Sequence, residues 1–327
     1  MGNDLIQKIR KAKLVGRGGA GFPTYLKWQN VLDSTSRVKY IVCNGAEGDR
    51  WVYKDKYILK KYPDEVINGM RLAFENLGII KGYIYLNPGY YKLFAKKLKA
   101  KIDDLDLDIE IFKKTGGYLA GEETIVCNSI EGGEIIPRNK PPYPSQSGIN
   151  GKPTLINNVE TLYHISKIDK GEYKNTRFYS IFGKIKNPGV FELPANLTIA
   201  KILKKTNNYP KFNFFIQAGG GWSGSILLDS ELNQSLQGIG AIIVYHKNKK
   251  VAVKLMHEMV DFFVAYNCDK CVPCREGTYR LQELVKSKKM DELKFKDLIF
   301  TLQNTSFCSY GKMLTYPIED VYNKLIK

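Results

Sequence analysis

Four of the six cysteines in this chain are spaced to hold metal. Cys268, Cys271 and Cys274 form a C-x2-C-x2-C run, and Cys308 follows after 33 intervening residues. Three thiolates two residues apart can wrap one face of an iron–sulfur cubane, and a distant fourth can close it. Zinc sites more often group their ligands as two separated pairs. The tight trio therefore favours a [4Fe-4S] cluster over structural zinc, with unligated core thiols as the remaining alternative. Cys43 and Cys127 lie in apolar runs and read as small core residues.

A second chemistry-bearing segment is the loop Gly16-Arg17-Gly18-Gly19-Ala20-Gly21-Phe22-Pro23. Its G-x-G-x-x-G letters match the dinucleotide fingerprint, but that fingerprint needs a preceding strand, and here a helical pattern precedes. A glycine-rich turn entering a helix still offers backbone N–H groups to a phosphate, with Arg17 and Lys27 adding positive charge. A plain turn is the alternative. The stretch Gly116-Gly117-Tyr118-Leu119-Ala120-Gly121-Glu122-Glu123-Thr124 combines glycines that let a flat ring approach the backbone with two acids at a helix start. Those acids are either ligand acceptors or ordinary first-turn residues. Asn157 and Asn158 are either a helix cap or amide readers of a ligand.

These groups need a scaffold, and the hydrophobic pattern predicts one. Strand-like runs at 38–43, 83–86 and 109–112 alternate with helical periodicity at 4–13, 63–77 and 90–101, which reads as an α/β layer structure with a mostly parallel sheet. Residues 131–158 hold too many Gly and Pro for a regular element and are expected to be a long loop that wraps a ligand. A helix at 159–168 and a linker at 169–176 follow. Strands at 178–182, 189–193, 214–218 and 241–245 around a helix at 199–205 suggest a small β-grasp unit. Helical patterns at 251–266, 276–286, 293–303 and 314–326 then suffice for a four-helix bundle, with the cysteines at its joints. The expected domains are 1–168, 177–247 and 250–327.

Composition narrows the function classes. The 327 residues, 43% hydrophobic and 25% charged, exclude disordered and collagen-like chains. No run of about 18 apolar residues occurs and the N-terminal segment carries charges where a signal peptide has its apolar core, so a cytoplasmic protein is expected. Fifty Lys+Arg against 33 Asp+Glu give +17, but only nine of the 50 are Arg, the preferred reader of bases, so no nucleic-acid partner is expected. The three histidines, His164, His246 and His257, fall in no nucleophilic motif, which argues against hydrolase chemistry.

Taken together, GRGGAGFPTYLKW (16–28), VCNGAEGD (42–49), GGYLAGEET (116–124), KPPYPSQSGINGKPTLINNVET (140–161), CDKCVPCREGT (268–278) and FCSYG (307–311) resemble one family in order and over nearly the whole chain. It is the family of NADH-oxidising, NADH-binding flavoproteins of respiratory complex I and of the diaphorases of NAD-linked hydrogenases and formate dehydrogenases. The resemblance implies an FMN-binding α/β domain, a ubiquitin-like β-grasp module and a C-terminal helical bundle with one [4Fe-4S] cluster on Cys268, Cys271, Cys274 and Cys308. It implies FMN contacts at Gly16, Arg17, Gly18, Lys27, Asn44, Glu47, Tyr118, Gly121, Glu122, Asn157 and Asn158. NAD(H), the substrate, would lie near Phe22, Glu123, Lys140 and Tyr143. It further implies hydride transfer from NADH to FMN and single-electron transfer to the cluster, with the cofactors supplying the reactivity. The implied partners are iron–sulfur subunits of a larger complex, with a [2Fe-2S] thioredoxin-like subunit or a ferredoxin as candidates, and any membrane link would be indirect. One departure bears on nicotinamide binding: where the family has N-A-D-E-x-E-P-G, this chain has Asn44-Gly45-Ala46-Glu47-Gly48-Asp49-Arg50-Trp51. The competing expectation is an FMN/[4Fe-4S] electron-transfer subunit that has lost or altered that site.

Overall fold

The computed structural model describes residues 2–327 and divides the chain into two compact units. Among the described residues the first comprises 2–48, 53–178 and 192–195. Its elements are α1 (Gly2–Lys11), α2 (Thr24–Leu32), β1 (Tyr40–Gly45), α3 (Lys54–Lys61), α4 (Pro63–Leu77), β2 (Lys81–Leu86), α5 (Pro88–Asp103), β3 (Ile109–Lys113), α6 (Glu123–Ile130), α7 (Pro144–Ser147), β4 (Thr154–Asn158) and α8 (Val159–Asp169).

The strands form one sheet in the order β3-β2-β1-β4, with every pairing parallel. Parallel neighbours cannot be joined by a tight hairpin, so helices must cross between them, and α3–α4 and α5 do this for the first three strands. Alternation along the strands sorts side chains to two faces. Val42, Tyr83, Tyr85 and Ile156 pack with Val126 and Cys127 of α6. On the other face a side chain at Gly82 would meet Ile41 and Met70, the latter from α4. Helices α4 and α8 approach so closely that a Cβ on Gly69 would lie 2.3 Å from the Leu162 carbonyl oxygen. Cys43 and Cys127 are fully buried core residues.

The sheet corrects one expectation. The proline- and glycine-rich stretch 131–158 is not loop throughout: it contains α7 and ends in β4, which pairs with β1 along Tyr40–Asn44. Successive strands are thus added on one side of β1 up to β3 and on its other side at β4, and the carboxyl ends of β1 and β4 open onto a topological switch point, where parallel α/β sheets bind ligands. The short helix α3 also has no counterpart among the expected elements.

The second unit comprises residues 49–52, 179–191 and 196–327. It contains a mixed sheet in the order β6-β5-β9-β7-β8, built from β5 (Thr176–Gly183), β6 (Gly189–Pro194), β7 (Phe214–Ala218), β8 (Ser225–Leu228) and β9 (Ala241–His246), with α9 (Ile199–Lys205) between β6 and β7. Strands β5 and β9 are parallel, while β9 and β7 are antiparallel. Four helices complete it: α10 (Lys249–Ala265), α11 (Val272–Lys286), α12 (Glu292–Thr305) and α13 (Ser309–Val321). Residues 196–327 thus fall together in this unit. No helix among the described residues is long and apolar enough to cross a membrane.

Candidate functional site

At the carboxyl end of β1, Asn44 donates from Nδ2 to the Gly121 carbonyl (3.0 Å) and accepts the Ala46 N–H at Oδ1 (3.1 Å). It thereby ties the β1 loop to the turn 118–121, which carries Tyr118 and Gly121 and leads into α6. At the end of β4, Asn158 caps α8 by accepting the Glu160 N–H (3.0 Å), and Asn157 accepts the Trp28 indole N–H (2.9 Å). The glycine loop rests on the same helix start. Arg17 N–H donates to Thr161 Oγ1 (2.9 Å), and a Cβ on Gly18 would sit 3.5 Å from Cβ of Asn158.

The loop is closed by the Gly16 N–H to Phe22 carbonyl bond (2.8 Å). Its left-handed positions are Gly19 (φ 116°) and Gly21 (φ 64°), where any Cβ would be strained; at Gly18 a Cβ would make only ordinary van der Waals contact. Because α1 precedes the loop, it is not the dinucleotide fingerprint. The Arg17 guanidinium is 6% exposed and donates to the Thr176 carbonyl (3.3 Å), with Nε unpartnered.

A second group converges at the start of α6. Lys27 Nζ meets Glu123 Oε2 at 2.9 Å, and Lys140 Nζ meets Glu122 Oε1 at 2.8 Å and Glu123 Oε1 at 3.2 Å. Glu122 also caps α6, with Oε2 accepting from the N–H groups of Thr124 and Ile125. Burial alone would raise the Glu123 carboxyl, but Lys27 and Lys140 outweigh it and hold the group below its usual range. Phe22 and Tyr143 are 44% and 52% exposed, so each offers a free aromatic face.

Glu47 is committed differently. Its carboxylate accepts from Asp55 N–H (3.0 Å), Lys56 N–H (3.3 Å) and Tyr90 O–H (2.6 Å), fastening the β1 loop to α3 and α5. Burial, reinforced by the Asp55 charge, pushes it from 4.5 up to about 7. A carboxyl whose folded value is raised contributes stability that is complete below the unfolded value and lost as pH rises through the folded one. The melting temperature of the wild-type protein should therefore fall from about pH 5 to about pH 8. Glu47→Gln should flatten this part of the profile, as followed by calorimetry.

The divergent residues Asp49–Val52 belong to the second unit. Arg50 pairs with Glu258 and lies 5.3 Å from the Trp222 ring centroid, while Trp51 stacks on Phe182 at 5.8 Å. Asp49 accepts the Arg50 N–H at Oδ1 (2.9 Å). Both bulky side chains are thus engaged with neighbours in that unit.

The cysteines occupy helix starts. Cys271 is the residue before α11 and Cys308 the residue before α13. Cys271 Sγ accepts the Phe307 N–H at 3.5 Å. Burial raises the Cys274 thiol to about 12, with additional repulsion from Cys271, Cys308 and Cys268, so the four sulfurs share one electrostatic environment. Bound iron would relieve that repulsion. A Cβ on Gly311 would come 2.4 Å from Ser306 Oγ and 3.1 Å from Cys274 Sγ, so glycine is required mainly by Ser306 where α13 passes this sulfur. Among the described residues no three His, Cys, Asp or Glu side chains group around a single-ion position. Sequence reasoning missed the ion pairs of Lys54 (1% exposed) with Asp55 (2.6 Å) and Glu160 (3.3 Å), because a Lys-Asp pair in a charged segment carries no signal of burial.

Residues 9–167 match the Nuo51 FMN-binding domain, and residues 254–325 match the iron–sulfur binding region of NADH-ubiquinone oxidoreductase F. The F component of the NADH-quinone oxidoreductase of Buchnera aphidicola is 32% identical over 97% of this chain and 81% of its own. The HndC component of the NADP-reducing hydrogenase of Solidesulfovibrio fructosivorans is 31% identical over 96% of this chain and 73% of its own. A crystal structure of an NAD+-reducing [NiFe]-hydrogenase in the H2-reduced state superposes with a TM-score of 0.91 at 26% identity, covering 98% of this chain and 61% of the other. The parallel α/β sheet, the helical C-terminal region and the cysteine set all coincide with these matches, and the chain belongs to the family of FMN- and [4Fe-4S]-binding F components of NADH-quinone oxidoreductases and their counterparts in NAD-reducing hydrogenases.

Proposed function

We propose that the chain is a diaphorase-type oxidoreductase subunit that passes electrons between NADH and an iron–sulfur chain. When bound, FMN accepts hydride and the [4Fe-4S] cluster accepts single electrons; the protein's part is to bind, orient and set charge. FMN is assigned to the switch point, held by Gly16, Arg17, Gly18, Lys27, Asn44, Glu47, Tyr118, Gly121, Glu122, Asn157 and Asn158. Several of these act by fixing the cradle, since Asn157 and Glu47 already spend acceptors on Trp28 and on α3. Cys268, Cys271, Cys274 and Cys308 are assigned to the cluster. The five-stranded mixed sheet with its parallel β5–β9 pair supports a β-grasp module over 177–247, and the four helices support a cluster-bearing bundle over 250–327, after an FMN domain over 1–168. Iron–sulfur subunits of a cytoplasmic redox complex are the proposed partners.

The observations that carry nicotinamide use are the Lys27–Glu123–Lys140 network and the exposure of two rings, Phe22 and Tyr143. Tyr143→Ala should raise KM for NADH about 2- to 10-fold, matching the ~0.5–1.5 kcal/mol of one aromatic contact, with FMN content unchanged. Glu123→Gln should act in the same direction. The deciding experiment is anaerobic titration of FMN-loaded protein with NADH: bleaching of the flavin supports the reading. Flavin that resists both NADH and NADPH but is reduced by ferredoxin would overturn it in favour of an electron-transfer subunit without a nicotinamide site.

A further inference from the structure

Lys114 follows the edge strand β3 and is 6% exposed. Unlike Lys54, which lies among carboxylates, Lys114 has no carboxylate or hydrogen-bond acceptor at Nζ among the described residues. Burial alone acts on it and lowers the ammonium to about 8. A buried cation without an anion is costly, and such sites are normally completed by a counter-charge. The position of the group is defined by Gly48, where an added Cβ would lie 3.9 Å from Lys114 Nζ and 3.9 Å from the Tyr118 ring. The side chain therefore reaches from the end of β3 to the loop after β1, at the carboxyl end of the sheet.

We propose that Lys114 is a positioning residue that supplies the counter-charge for the pyrimidine edge of the bound flavin and so favours its reduced, anionic form. The proposal rests on the FMN assignment above. The phosphate end of the ligand belongs with the glycine loop at the start of α8, beside β4, whereas Lys114 arrives from the opposite end of the order β3-β2-β1-β4. What it meets is then the ring. The ring is neutral when oxidised. A hydride, one proton with two electrons, adds at N5 and leaves one negative charge delocalised over N1 and the C2 carbonyl with no further proton. A cation at that edge binds the reduced ring more tightly than the oxidised one.

The test uses the full chain and its Lys114→Met and Lys114→Arg variants. Affinities for oxidised FMN and for riboflavin are read by fluorescence, and the two-electron midpoint by equilibration with a reference dye under dithionite. Lys114→Met should weaken binding of reduced relative to oxidised flavin about tenfold, a midpoint about 30 mV lower, while leaving oxidised affinity near wild type. Lys114→Arg should restore most of the shift. The ligand-free Lys114→Met protein should melt no lower than wild type, because an unpaired buried charge has been removed. An unchanged midpoint overturns the proposal. So does a loss of FMN affinity with riboflavin affinity and midpoint intact, which would place the ammonium at the phosphate, or a lower melting temperature without ligand, which would make it structural. Failure of the wild-type chain to take up FMN would instead sink the flavin assignment itself.

Discussion

Cys271→Ser is expected to abolish the iron–sulfur cluster and leave most of the flavin in place. Cys271 sits at the start of α11, and its sulfur accepts the Phe307 N–H beside Cys308. A serine hydroxyl at the same position is far more basic than a thiol and shorter by the difference between C–O and C–S bonds. One corner of the cubane would lack a ligand while the other three thiols remain. Iron should drop from about four per chain to near zero, together with acid-labile sulfide. The cradle proposed for the flavin uses Asn44, Asn158 and the glycine loop, all in the first unit, so flavin content should change little. Anaerobic purification followed by iron, sulfide and flavin determination checks both halves. One equivalent of zinc without sulfide in the wild-type protein, or a Cys271→Ser protein that keeps its cluster, would refute the assignment.

The cysteine cluster is legible in the sequence because its chemistry is local: three ligands sit within seven residues, and only Cys308 must be brought in by the fold. The parallel sheet is legible for a related reason, since β1, β2 and β3 are short apolar runs separated by helical periodicity. β4 is not. Its residues Thr154–Asn158 end in two asparagines and follow a run of prolines and glycines, so the pattern resembles loop until pairing with β1 buries Leu155 and Ile156. The glycine loop shows another limit. The sequence shows a row of glycines without ranking them, and the left-handed backbone that demands glycine lies at Gly19 and Gly21. Arg50 and Trp51 show a third, because bulk in a loop says nothing about direction until Glu258, Trp222 and Phe182 are seen to receive them. Buried charge is hardest to read, for Lys54 and Lys114 look like any of the chain's other lysines.

Lys54→Met should be the most destabilising of these changes, and its pH dependence should reveal why. The ammonium bridges Asp55 (2.6 Å), Glu160 (3.3 Å) and Asn158 Oδ1 (2.9 Å), and all three charged groups are almost wholly buried. Burial would raise the Glu160 carboxyl, but Lys54 foremost, with His164 and Arg177, outweighs it and holds the group far below the usual range. Asp55 is raised by burial, an effect Lys54 partly offsets. Breaking a buried pair by removing one partner costs about 3–5 kcal/mol, because the remaining charge is left uncompensated. Without the ammonium both carboxyls are raised, so the variant is fully stable only below their ordinary values of 3.8 and 4.5 and loses stability as pH rises through the elevated ones. The wild type behaves oppositely at Glu160, whose depressed value contributes stability above 4.5 that is lost on acidification. The deficit of Lys54→Met in urea denaturation should therefore be largest near pH 8 and shrink toward pH 5, roughly as two buried carboxylates take up protons. Asn158 loses a partner in the same variant, and because it caps α8 and lies against Gly18, FMN content should fall as well. A deficit below about 1 kcal/mol, or one equal at both pH values, would show that the network tolerates the missing charge and that the flavin cradle does not depend on it.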